Sequence, residues 1–274
     1  MTTKPHTQTT GRGPDLFLIH GWALHSGVWS GIVPELARNW RVTCVDLPGH
    51  GRSRELPMPA TLSELAHWVV QAAPEKSVWL GWSLGSLVAL RAALDFPERI
   101  TALALVSATP RFVSAADWPC AMPPEQLMQF MSELETDYFG TLTRFLGLQV
   151  RGDEHARETL RQLHAALRTC EAPQAANLAA GLEILRATDL RTEVPRLALP
   201  ALVMAGDYDR LTPPEAATWL AGVVHAARLV RLPKAAHAPF MSHTQEFLEA
   251  LHNFLPRLTA AKAPAAHAVG VRHG

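Results

Sequence analysis

Val78-Trp79-Leu80-Gly81-Trp82-Ser83-Leu84-Gly85 is a short β-type apolar run that ends on a Gly-x-Ser-x-Gly turn and passes at once into an apolar helical pattern, Leu84 to Asp95. Gly-x-Ser-x-Gly alone arises by chance. Strand, turn and helix in that order is the context in which a serine can stand exposed on a sharp strand-to-helix elbow. Such a turn forces the serine into unfavourable backbone angles and brings neighbouring backbone close, so residues without Cβ are required on either side. It also sets the start of a helix, with the Leu84 amide, beside the Ser83 hydroxyl, where a developing oxyanion would be stabilised. The competing reading is a buried serine in a small-residue packing turn.

A serine hydroxyl is a weak nucleophile near neutral pH and needs a base, normally a histidine held by a carboxylate. Downstream, Ala205-Gly206-Asp207-Tyr208-Asp209-Arg210 follows one strand-like run, and Ala235-Ala236-His237-Ala238-Pro239-Phe240 follows the next. Both loops fall at carboxyl ends of predicted strands, the edge where open α/β sheets build their sites. Spacing alone does not separate the two aspartates. Asp209 lies further into the loop and is preferred as the partner of His237, whereas Asp207 is nearer the strand end and suited to turn amides. A second oxyanion donor is expected after an early strand, where His20-Gly21-Trp22 stands, so the Trp22 amide is the candidate and its indole a wall of the acyl pocket. The loop 46–53, DLPGHGRS, lacks both the G-x-G-x-x-G spacing and a P-loop lysine, so it reads as a structural turn with His50 as a structural residue.

Outward from the elbow, β-rich runs recur at 16–19, 42–45, 78–80, 103–106, 201–204 and 228–232. Amphipathic segments alternate with them at 29–39, 62–73, 84–95, 214–223 and 244–254. The alternation predicts an α/β fold with a mostly parallel central sheet flanked by helices. Residues 110–200 carry no convincing strand but have strongly helical composition through 128–148 and 155–167, and a structureless loop of that length is implausible. The expected organisation is a discontinuous core, 1–110 and 190–258, interrupted by an inserted helical cap at 111–189, with a frayed tail at 259–274. The catalytic candidates all fall on the core.

With 274 residues the chain can bury roughly three quarters of its unfolded surface, enough for a large core without staples. Balanced charge, 25 basic against 25 acidic side chains, excludes the overall signature of a nucleic-acid or anionic-membrane binder. Cys44, Cys120 and Cys170 are odd in number and follow no metal-ligand or disulfide pattern, so they read as reduced thiols of a cytoplasmic protein. The start of the chain lacks the apolar run of a secretory signal, and the most apolar stretch, 78–90, is too short to span a bilayer. No metal or other cofactor is expected.

HGW at 20–22, DLPGHGRS at 46–53, GWSLGS at 81–86 and KAAHAPF at 234–240 together resemble the α/β-hydrolase superfamily from about residue 16 to 258. Within it the chain is similar to the biotin-pathway carboxylesterases that cleave the methyl ester of pimeloyl acyl-carrier protein, with further local matches at 144–149 and 181–185. That resemblance implies Asp209 as the catalytic acid and substrate contacts at Trp22, Ser83, Leu84, Phe145, Leu146, Gly147, Leu148, Gln149 and His237. It implies an acyl-carrier protein as partner and a free carboxylate on the acyl chain once methanol has left. It also implies a basic docking patch, matched here at Arg144, Arg157 and Arg161, whereas a further arginine of the family is replaced in this chain near Gly140.

The residues themselves support the patch in part, since Arg157, Arg161, His164 and Arg168 share one face of a predicted helix. The segment 144–168 holds five arginines against Asp153, Glu154 and Glu158. Acyl-carrier proteins are acidic, so such a stripe would steer one towards the pocket. The bland alternative is a solvated face with Glu154 and Glu158 as local partners. The expectation is therefore a monomeric serine esterase that binds no nucleic acid or membrane. A broad short-acyl carboxylesterase or carbon-carbon bond hydrolase is the enzymatic alternative, and a non-catalytic ligand-binding relative the other. Aspartate-dependent dehalogenase or epoxide hydrolase chemistry is disfavoured by Ser83.

Overall fold

A computed structural model describes residues 4–260. Its strands are β1 (Thr7–Thr10), β2 (Asp15–Ile19), β3 (Arg41–Val45), β4 (Ser77–Trp82), β5 (Ile100–Val106), β6 (Ala201–Gly206) and β7 (Ala227–Leu232). They form one sheet in the order β1-β3-β2-β4-β5-β6-β7. Every neighbouring pair is parallel except β1 with β3, which is antiparallel. The central strands are buried on both faces because helices cover both sides, which is why they read as continuous apolar runs and not as alternations. β1, with sequence TQTT, is polar and short; as a largely exposed edge strand it carries no hydrophobic pattern from which it could have been predicted.

The helices are α1 (Val33–Leu36), α2 (Leu62–Ala72), α3 (Leu84–Asp95), α4 (Pro124–Thr136), α5 (Tyr138–Gln149), α6 (Ala156–Leu167), α7 (Ala175–Ala187), α8 (Pro214–Val223), α9 (Pro239–Ser242) and α10 (Thr244–Ala260). Thr61 opens α2 with a capping box, its hydroxyl accepting from the Glu64 amide while the Glu64 carboxylate accepts from the Thr61 amide.

The expected helix over 29–39 is instead a 3-10 turn, Ser26–Gly31, followed by the single turn α1 with Pro34 near its start. Proline is tolerated only in the first turn, so a helix cannot run through it from Trp29. The helical run 128–148 divides at Asp137, whose side chain accepts from the Gly140 amide and caps α5. Gly140 is suited to this spot, since a Cβ there would lie 2.0 Å from the Asp137 carboxylate. The tail expected to fray from 259 begins inside α10, and residues 261–274 lie outside the described residues.

Helices α4 to α7 all lie between β5 and β6. The chain leaves and re-enters this segment at one place: Arg111 and Asp189 form an antiparallel bridge and a 2.9 Å ion pair, and the Leu190 amide donates to the Pro110 carbonyl. Leu127, Phe130, Leu142, Phe145, Leu178 and Leu182 belong to the same buried cluster as Trp79 and Leu105 of the sheet and Leu84 of α3. No helix among the described residues is long and apolar enough to cross a membrane.

Candidate active site

Ser83 sits between β4 and α3 with φ 56° and ψ −117°. A non-glycine residue in this region is strained by about 1–3 kcal/mol and persists only where its surroundings hold it. Here the Ser83 amide donates to the Val106 carbonyl, and the Ser83 carbonyl accepts from Ser86 and Leu87. The flanking glycines meet the close approach expected of an elbow. A Cβ on Gly81 would lie 2.3 Å from the Gly85 carbonyl oxygen, and one on Gly85 would lie 2.2 Å from that of Ile19.

His237 and Asp209 come together across the ends of β6 and β7. Asp209 Oδ2 is 2.8 Å from His237 Nδ1, and both side chains are buried. The remaining acceptor capacity of Asp209 is filled by its own loop: Oδ1 accepts the Leu211 and Thr212 amides, each at 2.9 Å, and Oδ2 accepts the Thr212 hydroxyl at 2.8 Å. Burial pushes the Asp209 carboxyl up, but the imidazole and these hydrogen bonds together outweigh it and hold the group below the usual carboxylate range. A carboxylate so held directs the imidazole proton to Nδ1. His237 Nε2 is left without a hydrogen-bond partner among the described residues, free to serve a hydroxyl. Asp207 is elsewhere, in a 2.7 Å ion pair with Arg231 at the surface.

The backbone of His237 is fixed from both sides. Its carbonyl accepts the Trp82 indole N–H at 2.7 Å and the Ser107 hydroxyl at 2.9 Å. Its amide donates to the Gln149 carbonyl at 2.9 Å, and the preceding Ala236 amide donates to Asp153 Oδ2 at 2.7 Å. Gln149 ends α5 and Asp153 lies in the α5–α6 turn, so the inserted helices contribute directly to positioning the histidine loop. Ser107, Thr212 and Asp153 were not singled out from sequence. Only Thr212, three residues after Asp209, could have been suspected, as a loop hydroxyl within reach of the acid.

The loop after β2 closes over Ser83 from the other side. A Cβ on Gly21 would stand 3.3 Å from Ser83 Cβ. Two buried histidines hold this loop. His20 Nδ1–H donates to the Gly21 carbonyl at 2.7 Å while its Nε2 accepts the Leu47 amide; His50 Nδ1–H donates to the Pro48 carbonyl while its Nε2 accepts the Ala23 amide. Each ring nitrogen facing an N–H must be an acceptor, which fixes both rings as neutral tautomers. Burial drives His20 down to about 3, with the neighbouring His50 adding to the effect, and burial drives His50 down to about 4. With the Gly21 carbonyl and the Ala23 amide both taken, the Trp22 amide between them is engaged by nothing among the described residues, and neither is the Leu84 amide at the start of α3.

Trp22 is buried, its indole N–H donating to the Leu178 carbonyl at 2.9 Å and its ring meeting Phe145 edge-on at 4.7 Å. This brings two of the residues implied as substrate contacts together. Leu146 is buried, Gly147 and Leu148 are half-buried, and Gln149 Oε1 is buried without a hydrogen-bond partner. Of the basic residues, Arg144 is paired with Glu133 and Asp137 and Arg161 with Glu158, while exposed Arg157 makes no ion pair among the described residues. Glu154 pairs not with the arginine stripe but with Lys234 and His243.

A family model described as alpha/beta hydrolase fold matches residues 14–244. A protein of Stenotrophomonas maltophilia strain K279a, named pimeloyl-[acyl-carrier protein] methyl ester esterase, is 46% identical over 256 residues, covering 93% of this chain and 98% of its own. A protein of the same name from Nitrosomonas europaea is 44% identical over 243 residues, 89% of this chain and 96% of its own. Among solved structures, an esterase from Exiguobacterium antarcticum superposes with a TM-score of 0.83 over 92% of this chain and 95% of its own at 21% identity, a likeness of fold.

Proposed function

The chain belongs to the alpha/beta hydrolase fold family, and from that premise we propose that it is a serine carboxylesterase that hydrolyses the methyl ester of pimeloyl acyl-carrier protein to the free acid and methanol in biotin biosynthesis. The chemistry is supported by one arrangement: a buried Asp209–His237 pair leaves Nε2 without a partner among the described residues, and the His237 carbonyl is bonded to the indole of Trp82, the residue just before a serine on a strained elbow. The substrate is supported by the near full-length similarity to the two pimeloyl-[acyl-carrier protein] methyl ester esterases.

In the proposed mechanism Ser83 Oγ attacks the ester carbonyl as His237 Nε2 takes its proton, and the Trp22 and Leu84 amides donate to the oxyanion. Asp209 stabilises the imidazolium. His237 then returns the proton to the departing methoxide, giving methanol and an acyl-Ser83. A water that loses its proton to the same imidazole attacks the acyl carbonyl, and breakage of the bond to Oγ releases the carboxylate and restores Ser83. The inserted helices, 111–189, act as a cap in which Phe145, Leu146, Gly147, Leu148 and Gln149 contact the acyl chain with Trp22. The unpartnered Gln149 Oε1 suits a hydrogen-bond donor brought by substrate or water. Arg144, Arg157 and Arg161 steer the acidic carrier. Unpaired thiols at Cys44, Cys120 and Cys170 support residence in the cytoplasm, and the scarcity of exposed large apolar side chains, Met128, Phe139 and Tyr208 among the described residues, supports a monomer.

The test compares methyl pimeloyl-carrier protein with free dimethyl pimelate, each at low and high salt, using wild type and Ser83→Ala. The expected result is one methanol per acid released, a preference for the carrier-bound ester that falls with salt, and no turnover by the variant. Equal rates on both esters without a salt effect would overturn carrier recognition, and hydrolysis retained by Ser83→Ala would overturn the nucleophile.

A further inference from the structure

Away from the ester site, Glu154, His155 and His243 bring one donor atom each to within 4.8 Å of one another. Glu154 and His155 stand between α5 and α6, and His243 between α9 and α10, so the cluster exists only when the inserted helices and the histidine loop are folded together. The sequence shows no ligand spacing because His243 is so remote from the other two.

Glu154 Oε1 is 3.2 Å from His243 Nε2 and 3.9 Å from His155 Nε2. Around a tetrahedral zinc ion with bonds of about 2.0–2.1 Å, adjacent ligand atoms stand about 3.3 Å apart. The Glu154–His243 edge is already near that length, and the His155 edge closes to it by a small movement of an exposed side chain. The His243 ring is buried, and Ser242 Oγ lies 2.8 Å from its Nδ1, a contact that orients the ring and aims Nε2 at the cluster. The other carboxylate oxygen, Oε2, is taken by the Lys234 ammonium at 3.0 Å, which leaves Oε1 to face the imidazoles. Lys234 is exposed, and as a nearby positive charge it is the competitor of any cation.

We propose that Glu154, His155 and His243 form a binding site for one divalent transition-metal cation of the zinc class, with the fourth position open to water. Two imidazoles and one carboxylate suit zinc and disfavour calcium or magnesium, which take oxygen ligands. Bound there, the ion ties the root of the inserted helices to the loop that carries His237. The two segments already touch through the Glu154 amide donating to the Lys234 carbonyl and the Ala236 amide donating to Asp153. The ion therefore adds stability to the folded chain in proportion to its occupancy.

The test is calorimetric titration of the metal-free full chain with zinc chloride at pH 7.5, paired with the thermal unfolding midpoint, for wild type, His155→Ala and Lys234→Gln. Among the described residues the His155 side chain meets only Glu154 and the His243 ring, and its bond to Asp153 is made by the backbone amide that alanine keeps, so the substitution leaves basal ester hydrolysis unchanged. One zinc per chain and a raised midpoint are expected in wild type. His155→Ala should weaken binding by roughly 10–100-fold or more and lose the midpoint rise. Lys234→Gln should bind roughly two- to fivefold more tightly, as loss of a surface ion pair allows. The proposal is overturned if wild type takes up no zinc, if His155→Ala gives the wild-type isotherm, if Lys234→Gln binds more weakly, or if magnesium produces the same midpoint rise.

Discussion

Replacing Asp209 by asparagine tests the site most sharply, because the surroundings decide which way the amide turns. Oδ1 of Asp209 accepts two backbone amides, from Leu211 and Thr212, whereas Oδ2 faces the Thr212 hydroxyl and His237 Nδ1. An asparagine oxygen must stay at the Oδ1 position. The reverse orientation would set an NH2 against two buried N–H donors, at about 1–3 kcal/mol for each donor left unpaired. The NH2 therefore points at His237 Nδ1, which becomes an acceptor and forces the imidazole proton onto Nε2. That tautomer presents an N–H to Ser83 and cannot take its proton. Wrong tautomer and lost imidazolium stabilisation together should lower kcat by about 10⁴-fold, or roughly 5.4 kcal/mol of barrier, with KM little changed and the fold retained by circular dichroism. The assay is steady-state hydrolysis of a short chromogenic ester at pH 7.5. Asp207→Asn, which removes only a surface ion pair with Arg231, serves as the control and should change kcat by less than threefold or so. A loss below tenfold in Asp209→Asn, or an equal loss in Asp207→Asn, would refute the tautomer argument.

Two further expectations concern stability. His20 and His50 titrate near 3 and 4 in the folded chain, well below an ordinary histidine at 6.5, so they contribute stability above pH 6.5 that is lost as pH falls through 6.5 towards 4. Each adds up to about 1.4 kcal/mol per pH unit to that slope; urea unfolding between pH 6.5 and 4.5 should be shallower in pH by about one proton for His50→Gln, and an unchanged slope would count against burial as a neutral ring. Gly85→Ala should cost about 3 kcal/mol or more because its Cβ meets the backbone oxygens of Ile19 and His20 at 2.2 and 2.7 Å. Gly147→Ala, in the last turn of α5 with nothing within 4 Å of its Cβ, should instead raise stability by up to about 0.5–1 kcal/mol in the same denaturation experiment; similar midpoints for the two variants would show that the close approach at Gly85 is not a constraint.

The sequence by itself determined the layered fold, because strands buried on both faces must be apolar throughout and the helices between them must be amphipathic. It also determined the elbow at Ser83, since a strained turn with backbone packed on either side leaves glycine as the residue that fits at 81 and 85. Its pattern failed where burial leaves no period: the polar edge strand β1, the turn broken by Pro34, and the division at Asp137. What only the tertiary structure decided is how remote residues meet. Spacing could not separate Asp207 from Asp209, yet packing of β6 against β7 sets one beside His237 and the other beside Arg231. The neutral rings of His20 and His50, the Gln149 and Asp153 acceptors that hold the histidine loop, and the Glu154–His155–His243 cluster have the same origin. Each depends on hydrogen bonds or donor atoms a few ångströms apart in space between residues far apart in the chain, and local sequence does not encode such distances.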